Sequence, residues 1–328
     1  MKKILFLAAV TAIALAACTK TETTGVSEGN LIKFDNAFVG NPTKAGLAEI
    51  DKDNLTAFYV QGNFNSNLVF VDGFETVSKT ATGQWVYTNL KEWQSGTWYW
   101  GAYSDGNEPV STPVSASFTV ETTQPKLTIT DYTLNADTPK DLVVAVSTTD
   151  LTTNQPVPFT FNHALSQVKF TLTNGVAESD IKITDFKVSN VKSKATATVT
   201  DAISWTASGN ETETLTNSAA MTAAADAAAV SDNFAVIPVD YSADEITVTF
   251  TATIDMSEPT KDIVKYLKAT IAPANTWEPG YRYNYTAEIT GKLMDLIEFT
   301  LADVNKWEDN TQNTPISEDD IISSDSQQ

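Results

Sequence analysis

The sequence predicts an all-β protein built from antiparallel sandwiches, and three observations carry that prediction. Ile246, Val248, Phe250, Ala252 and Ile254 alternate without a miss against Thr247, Thr249, Thr251 and Thr253. This is the period-2 pattern of a strand with one buried and one wet face. Tyr281, Tyr283, Tyr285, Ala287 and Ile289 likewise share one parity, while Arg282, Asn284, Thr286, Glu288 and Thr290 share the other. Finally, short apolar runs recur at close spacing between Gly-, Asn- and Pro-containing turns, with threonine-rich polar faces. At 328 residues and 42% hydrophobic, the chain is long enough for two packed cores.

Residues 1–18 read as an export signal rather than as part of the fold. Lys2-Lys3 form a positive start, Ile4 to Leu15 an apolar run, and Leu15-Ala16-Ala17-Cys18 a small-residue cleavage site. A cysteine directly after Leu-Ala-Ala looks like a bacterial lipobox, in which the Cys18 thiol is acylated and becomes the mature N-terminus. The alternative is an ordinary signal peptide with Cys18 as a passenger. Cys18 is the only cysteine, so no intrachain disulfide can form. No later run approaches the roughly 20 apolar residues of a spanning helix, so the mature protein is expected to be anchored or surface-exposed.

Thr19 to Gly29 is polar and small, the composition of a flexible tether. Ile32, Phe34 and Phe38 then share one parity, which predicts a first strand over about Leu31 to Val39, broken by Gly40-Asn41-Pro42. Lys44-Ala45 falls in the following loop. Asp51-Lys52-Asp53-Asn54 reads as a turn, because a calcium loop would need a glycine and a distal glutamate that are missing. Phe58 and Val60, Leu68 to Val71, and Gln84 to Tyr87 are strand-like. The run to Tyr103 is aromatic on both parities, with Trp98 and Trp100 on one and Tyr99 and Tyr103 on the other. That pattern fits a strand buried on both faces. It also fits a sugar-stacking platform of Trp93, Trp98 and Trp100. Val114 to Val120, Lys126 to Tyr132 and Leu142 to Val146 complete a first domain, and the polar, Pro-containing stretch Thr152 to Pro158 reads as an interdomain joint.

Phe159 to Leu165 is expected to open the second domain. Its apolar parity is odd up to Leu165 and even at Val168, Phe170 and Leu172, which predicts a β-bulge near Ser166-Gln167. His163, the only histidine, is in phase with Phe161 and Leu165 and reads as a hydrogen-bonded core residue. Val191 to Val199 reads as an edge or meander, and the alanine-dense Ser218 to Val230 as a short helix or a loop. Pro279-Gly280 reads as a turn.

The chain's chemistry is sparse. The formal charge is −20, and −22 once residues 1–17, with Lys2 and Lys3 and no acid, are removed. So acidic a balance, with Arg282 the only arginine, argues against nucleic acid as a partner. With one histidine and one cysteine there is no nucleophilic triad and no zinc set, and no HExxH, GxSxG or phosphate loop is present. The expectation is a protein that is not an enzyme and needs no cofactor and no metal.

The run Trp277-Glu278-Pro279-Gly280-Tyr281-Arg282-Tyr283-Asn284-Tyr285, followed by Ile297-Glu298-Phe299, Val304 and a closing Trp307, resembles the C-terminal signature of the fimbrillin (Mfa-like) family. These are the lipoprotein-derived subunits of type V pili in Bacteroidales. Phe159 to Leu165 is similar to the segment that starts the family's C-terminal domain. Ala235-Val236-Ile237-Pro238 is similar to its Ile-Pro strand end, and Thr43-Lys44-Ala45 to the Thr-Arg/Lys-Ala step cut by a trypsin-like protease. An ordinary loop lysine is the other reading of Lys44.

The resemblance implies two transthyretin-like antiparallel β-sandwich domains in tandem, at 31–157 and 158–310. They follow the signal peptide and lipobox at 1–18 and the tether at 19–30, and precede an acidic tail at 311–328. It implies a structural or adhesive pilus subunit, exported as a lipoprotein precursor and assembled by protease-triggered donor-strand exchange. Cleavage between Lys44 and Ala45 would remove the strand bearing Ile32, Phe34 and Phe38. The candidate donor is the region of Ile297, Phe299 and Leu301, or the tail beyond Trp307. The implied partners are other pilus subunits in a head-to-tail polymer, a trypsin-like maturation protease, the outer membrane through the precursor's lipid, and a host or bacterial surface receptor. The implied location is the cell outer membrane or cell surface. The rival expectation is a non-polymerising surface lipoprotein that binds a glycan or host protein through Trp93, Trp98 and Trp100.

Overall fold

The computed structural model describes residues 30–39, 50–51, 53–106, 114–136, 140–151, 155–176, 179–254, 262–271, 277–290 and 299–306. Cys18, Lys44, Ala45, Ile297 and the tail after Trp307 lie outside these residues, as does the side chain of Phe38. Every regular element among the described residues is a strand, and most strand pairs are antiparallel, so the chain is all-β as its periodicity requires.

The largest sheet has eight strands. In spatial order its main path runs Phe34–Val39, Val157–His163, Val143–Leu151, Gly96–Ser104, Ala57–Phe64, Glu75–Lys79 and Trp85–Val86, with Asn67–Leu68 paired to Ala57–Phe64. The alternation of the sequence sorts its side chains onto two faces. Phe58, Val60, Trp98, Trp100, Ala102, Val143, Ala145, Phe159 and Phe161 join Ile32, Phe34 and Trp93 in one buried aromatic core. Tyr59, Tyr103 and Val144 point the other way, into a second core shared with Phe118, Leu127 and Ile129. Those last residues come from a four-stranded sheet in the order Ile203–Ala207, Lys194–Val199, Gln124–Thr133, Ala116–Glu121. The large sheet is therefore covered on both sides, which is why Gly96–Ser104 is aromatic on both parities.

The C-terminal sandwich packs two five-stranded sheets. One holds Ser166–Gly175 and Tyr281–Thr290 as a parallel pair, with Thr300–Lys306 on the far side of the latter. The other centres on Ile181–Lys192 and Ile246–Ile254. Between them Phe170 stacks on Tyr285 at 5.5 Å, and Phe186 stacks on Phe250 at 5.7 Å. Gly280 has φ of 75°, the left-handed conformation that makes the Pro279-Gly280 turn, and its amide donates to the carbonyl of Leu165 at 2.8 Å.

Three details differ from the sequence reading. Val157–His163 does not open the second sandwich; it is a strand of the large N-terminal sheet, paired with Val143–Leu151 and Phe34–Val39. The parity change after Leu165 is not a bulge but a change of sheet, since Ser166–Gly175 belongs to the C-terminal sandwich. A bulge and a switch of sheet leave the same mark on a period-2 pattern. The alanine-dense segment holds two short strands, Met221–Ala223 and Ala229–Val230, which pair with Ile181–Lys192 and Ser166–Gly175. Ala223 and Ala229 are buried there.

One long hairpin ties the two halves together. Ile181–Lys192 and Thr212–Thr216 pair within the C-terminal sandwich. Beyond Ser193, the strand Lys194–Val199 pairs with Ile203–Ala207 and also with Gln124–Thr133 of the N-terminal half. Val191 and Lys192 thus end a strand of the C-terminal sandwich, and Lys194–Val199 is an inner strand of the small sheet in a hairpin with Ile203–Ala207, a meander and not an edge. At the changeover the amide of Leu134 donates to the carbonyl of Ser193 at 2.8 Å, and that of Ser193 to the carbonyl of Glu211 at 3.1 Å.

Candidate functional site

The N-terminal segment, residues 30–39, lies between the two ends of the large sheet and touches both. On one flank it is antiparallel to the chain that follows Trp85–Val86. Leu31 bridges Glu92, the amide of Ile32 donates to the carbonyl of Lys91 at 2.8 Å, and that of Trp93 donates to the carbonyl of Asn30 at 2.9 Å. Asn30 Nδ2 returns a bond to the carbonyl of Trp93 at 2.9 Å. On the other flank the amide of Val157 donates to the carbonyl of Lys33 at 2.8 Å. From there Phe34–Val39 runs parallel to Val157–His163, with Phe34 opposite Val157 and Val39 opposite Phe161. A register shift falls between Asp35 and Phe38. A parallel strand at the end of a sheet, far in sequence from its neighbour, is an element the chain can lose without breaking any other pairing.

Side chains explain why the segment stays in place. Ile32 is 1% exposed and Phe34 4% exposed. The Phe34 ring stacks on Phe159 at 6.2 Å and meets Phe58, Tyr87 and Trp100 edge-on at 5.9, 5.3 and 5.8 Å. Each large apolar side chain so buried is worth about 1.5–3 kcal/mol, so Ile32 and Phe34 anchor the segment by several kcal/mol between them. The Tyr87 hydroxyl donates to the carbonyl of Ile32 at 2.9 Å and accepts from the amide of Lys91 at 3.2 Å. Burial pushes the Tyr87 phenol above its ordinary value, the Lys91 bond pulls the other way, and the nearby Glu75 carboxylate adds to the rise. Tyr87 stays neutral and able to donate. No periodicity marks Tyr87 for this task; its run reads only as a strand.

Trp93, Trp98 and Trp100 are brought together, but inside the protein. They are 5%, 3% and 0% exposed, and Trp98 stacks on Trp100 at 5.7 Å while Trp93 meets both edge-on. No face of the three is open to a sugar ring, so of the two readings of this run the buried strand holds and the sugar-stacking platform is corrected to a core. Alternation places Trp98 and Trp100 on one side of a strand, and only the fold reveals that this side is covered.

Phe299 and Leu301, proposed from sequence as part of a donor strand, are also in use. The Phe299 ring lies 5.2 Å from that of Phe170, and Leu301 pairs with Tyr285 in the sheet of its own sandwich. Their i, i+2 spacing serves an inward face here, so neither is a free donor.

His163 is 2% exposed, with Nδ1 2.8 Å from Asp141 Oδ2. The same carboxylate oxygen accepts from the amide of Ile50 at 2.9 Å. The pair therefore fixes the backbone at Ile50, which follows the segment containing Lys44 in sequence. Val39, on the other side of that segment, is opposite Phe161. Sequence parity points to a core histidine but gives no hint that Asp141 joins it. Asp51 Oδ1 accepts from the amides of Asp53 and Asn54, both at 2.7 Å, an Asx turn rather than a calcium loop. Among the described residues no group of three or more His, Cys, Asp or Glu is arranged to hold a metal ion.

Comparison with known proteins bears on this arrangement. A family model described as fimbrillin-like matches residues 43–307. No curated protein matches the sequence. Among solved structures, a candidate cell adhesion protein from Parabacteroides distasonis is similar in fold, with a TM-score of 0.51 and 13% identity over 86% of this chain and 97% of that one. A second candidate cell adhesion protein, from Bacteroides uniformis, gives 0.48 and 15% over 85% and 97%. The fimbrial anchor protein Mfa2 from Porphyromonas gingivalis gives 0.32 and 10% over 83% and 96%.

Proposed function

This chain belongs to the fimbrillin-like family, and from that membership we propose that it is a cell-surface fimbrial subunit that accepts a neighbour's strand after proteolysis. The precursor is exported as a lipoprotein acylated at Cys18, which holds it at the outer membrane. A trypsin-like protease cuts between Lys44 and Ala45, and the segment ending at Val39 leaves. A β-strand from the next subunit takes its place, giving a head-to-tail contact that does not close on itself and so extends into a fibre.

One observation carries the reading: residues 30–39 fill a gap between two ends of one sheet, and no other strand among the described residues depends on them. Their departure leaves the outer edge of Val157–His163 unpaired and uncovers Phe58, Trp100 and Phe159. An apolar slot flanked by free main-chain groups is what an incoming strand recognises, through backbone bonds for affinity and alternate pockets for register. We read the rest of the chain as two sandwiches in tandem, with the change from one to the other just after His163 rather than at 157/158.

The test is limited trypsin digestion of the folded precursor, followed by N-terminal sequencing. A new N-terminus at Ala45 and an otherwise intact chain are expected, with the Lys44→Gln variant uncut there. Cleavage elsewhere, with Lys44 spared, would remove the basis of the proposal.

A further inference from the structure

Two hairpin turns carry side chains where glycine is expected, and both border one cleft. Phe64 pairs with Asn67, and Glu121 with Gln124, so Asn65-Ser66 and Thr122-Thr123 are two-residue loops. Asn65 and Ser66 have φ of 50° and 64°, and Thr122 has φ of 61°. Left-handed positions in such loops favour glycine, asparagine or aspartate, and a β-branched residue there is an outlier. Among the described residues, Ser66 and Thr122 are the only left-handed ones that are none of these three. Backbone strain of this kind concentrates where a site needs the side chain that causes it.

The cleft has a volume of about 420 Å³, within the roughly 300–1,000 Å³ of small-molecule sites. Asn63 and Tyr99, cross-strand partners, line it together with Thr97, and Val120 comes from the small sheet. Strand alternation puts Asn63, Thr97 and Tyr99 on the same face as Tyr59 and Tyr103, the face that the small sheet covers. Inner faces of a sandwich are ordinarily apolar, yet here the half-buried positions are an amide, a hydroxyl and a phenol. Among the described residues, the Asn63 carboxamide and the Ser66, Tyr99 and Thr122 hydroxyls enter no hydrogen bond within the protein. The Thr97 hydroxyl donates to Asp150 at 2.9 Å and keeps its lone pairs for an incoming donor. No lining residue is charged, in a chain of which 19% is charged. Glu121, next to Thr122, is ion-paired with Lys126 at 2.7 Å.

We propose that this cleft binds a neutral sugar. A pyranose offers adjacent hydroxyls, each donor and acceptor, to amide and hydroxyl groups such as Asn63, Ser66 and Thr122. It also offers an apolar ring face to an aromatic side chain, here Tyr99. An anionic ligand would find no cation in the lining to pair with. The cleft lies on the opposite face of the large sheet from Ile32 and Phe34, so the proposal does not depend on strand exchange.

The test is saturation-transfer difference NMR on the full chain at millimolar ligand. The probes are the methyl glycosides of glucose, galactose, mannose, fucose and N-acetylglucosamine, with glucuronic acid as the charged counterpart. At least one neutral glycoside is expected to take up saturation, and glucuronic acid is not. Asn63→Ala and Tyr99→Leu should each weaken that glycoside by about tenfold. Ser66→Gly and Thr122→Gly separate site from scaffold. Glycine relieves the left-handed strain and so should hold or raise Tm, while the lost hydroxyl weakens binding by about fivefold. A raised Tm with binding unchanged in both glycine variants would mean that the turns serve the fold alone, and would overturn the proposal. So would the absence of a signal from every neutral glycoside, a signal that all four variants retain, or a stronger one from glucuronic acid.

Discussion

Tyr87 donates its hydroxyl hydrogen to the carbonyl of Ile32 at 2.9 Å, across 55 residues of sequence, and its ring lies 5.3 Å from that of Phe34. One side chain thus holds the N-terminal segment by a polar and an apolar contact at once. The two can be separated. Tyr87→Phe should keep the ring contact and lose the bond, at a cost of about 0.5–1.5 kcal/mol. Phe34→Ala should cost about 3–5 kcal/mol, because the pocket is lined by rings that cannot collapse into it. Urea unfolding of both variants checks the order, and equal losses would mean that the aromatic pocket is not the anchor.

Asp141→Ala should destabilise the protein by about 3–5 kcal/mol. The carboxylate is fully buried and serves two partners, the Ile50 amide and the His163 ring, and removing one side of a buried pair leaves the other unsatisfied. Hydrogen exchange should show the Ile50 amide losing its protection in the variant while amides of the C-terminal sandwich keep theirs.

Gly62→Ala is expected to be costly although Gly62 has no unusual backbone angle. A Cβ there would lie 2.5 Å from Cζ3 of Trp100 and 2.9 Å from Cγ2 of Val69. The Trp100 ring is locked among Phe34, Trp93 and Trp98 and has nowhere to go. Overpacking of this kind costs about 1–3 kcal/mol, measurable as a lower urea midpoint with an unchanged slope.

Alkali should unfold the protein from about pH 10 upward. Tyr103, Tyr132 and Tyr241 are all raised above the ordinary tyrosine value of 10.0, in each case chiefly by burial. Asp105 and Tyr59 add to the rise at Tyr103, and Asp141 and Asp105 at Tyr132. At Tyr241 the bond from Lys192 opposes it, and Asp244 adds to it. The unfolded chain releases these protons near pH 10, while the folded chain keeps them. Stability is therefore complete below the unfolded value and falls as the pH climbs past it. Tyrosinate absorbance should rise in step with loss of β-sheet circular dichroism, and early titration of all ten tyrosines in a chain that stays folded would contradict the burial.

Much of the fold was legible because strand alternation is a local property. Ile246–Ile254 and Tyr281–Thr290 fall where the pattern places them, with Tyr283, Tyr285, Ala287 and Ile289 buried. What could not be read was non-local. Nothing in Val157–His163 says that it pairs with Phe34–Val39, or that the parity change two residues later is a passage into another sheet. The tryptophans show the same limit at the site. Period 2 tells which side Trp98 and Trp100 share, but whether that side meets water depends on Ile32, Phe34 and Trp93, distant in sequence and adjacent in space. The N-terminal strand itself was visible as Ile32 and Phe34 in phase, and its partners Tyr87, Lys91 and Val157 were not.

The hairpin from Ile181 to Thr216 makes the two halves poor candidates for independent life. A fragment ending at residue 157 would lack Lys194–Val199, leaving an open flank on Gln124–Thr133 and Leu127 and Ile129 bare. It would also lack most of Val157–His163, and with it the ledge on which the N-terminal segment rests. Any pull applied at the slot would pass through this shared pair of strands into the C-terminal half, so the molecule should carry tension as one body and give way in one step.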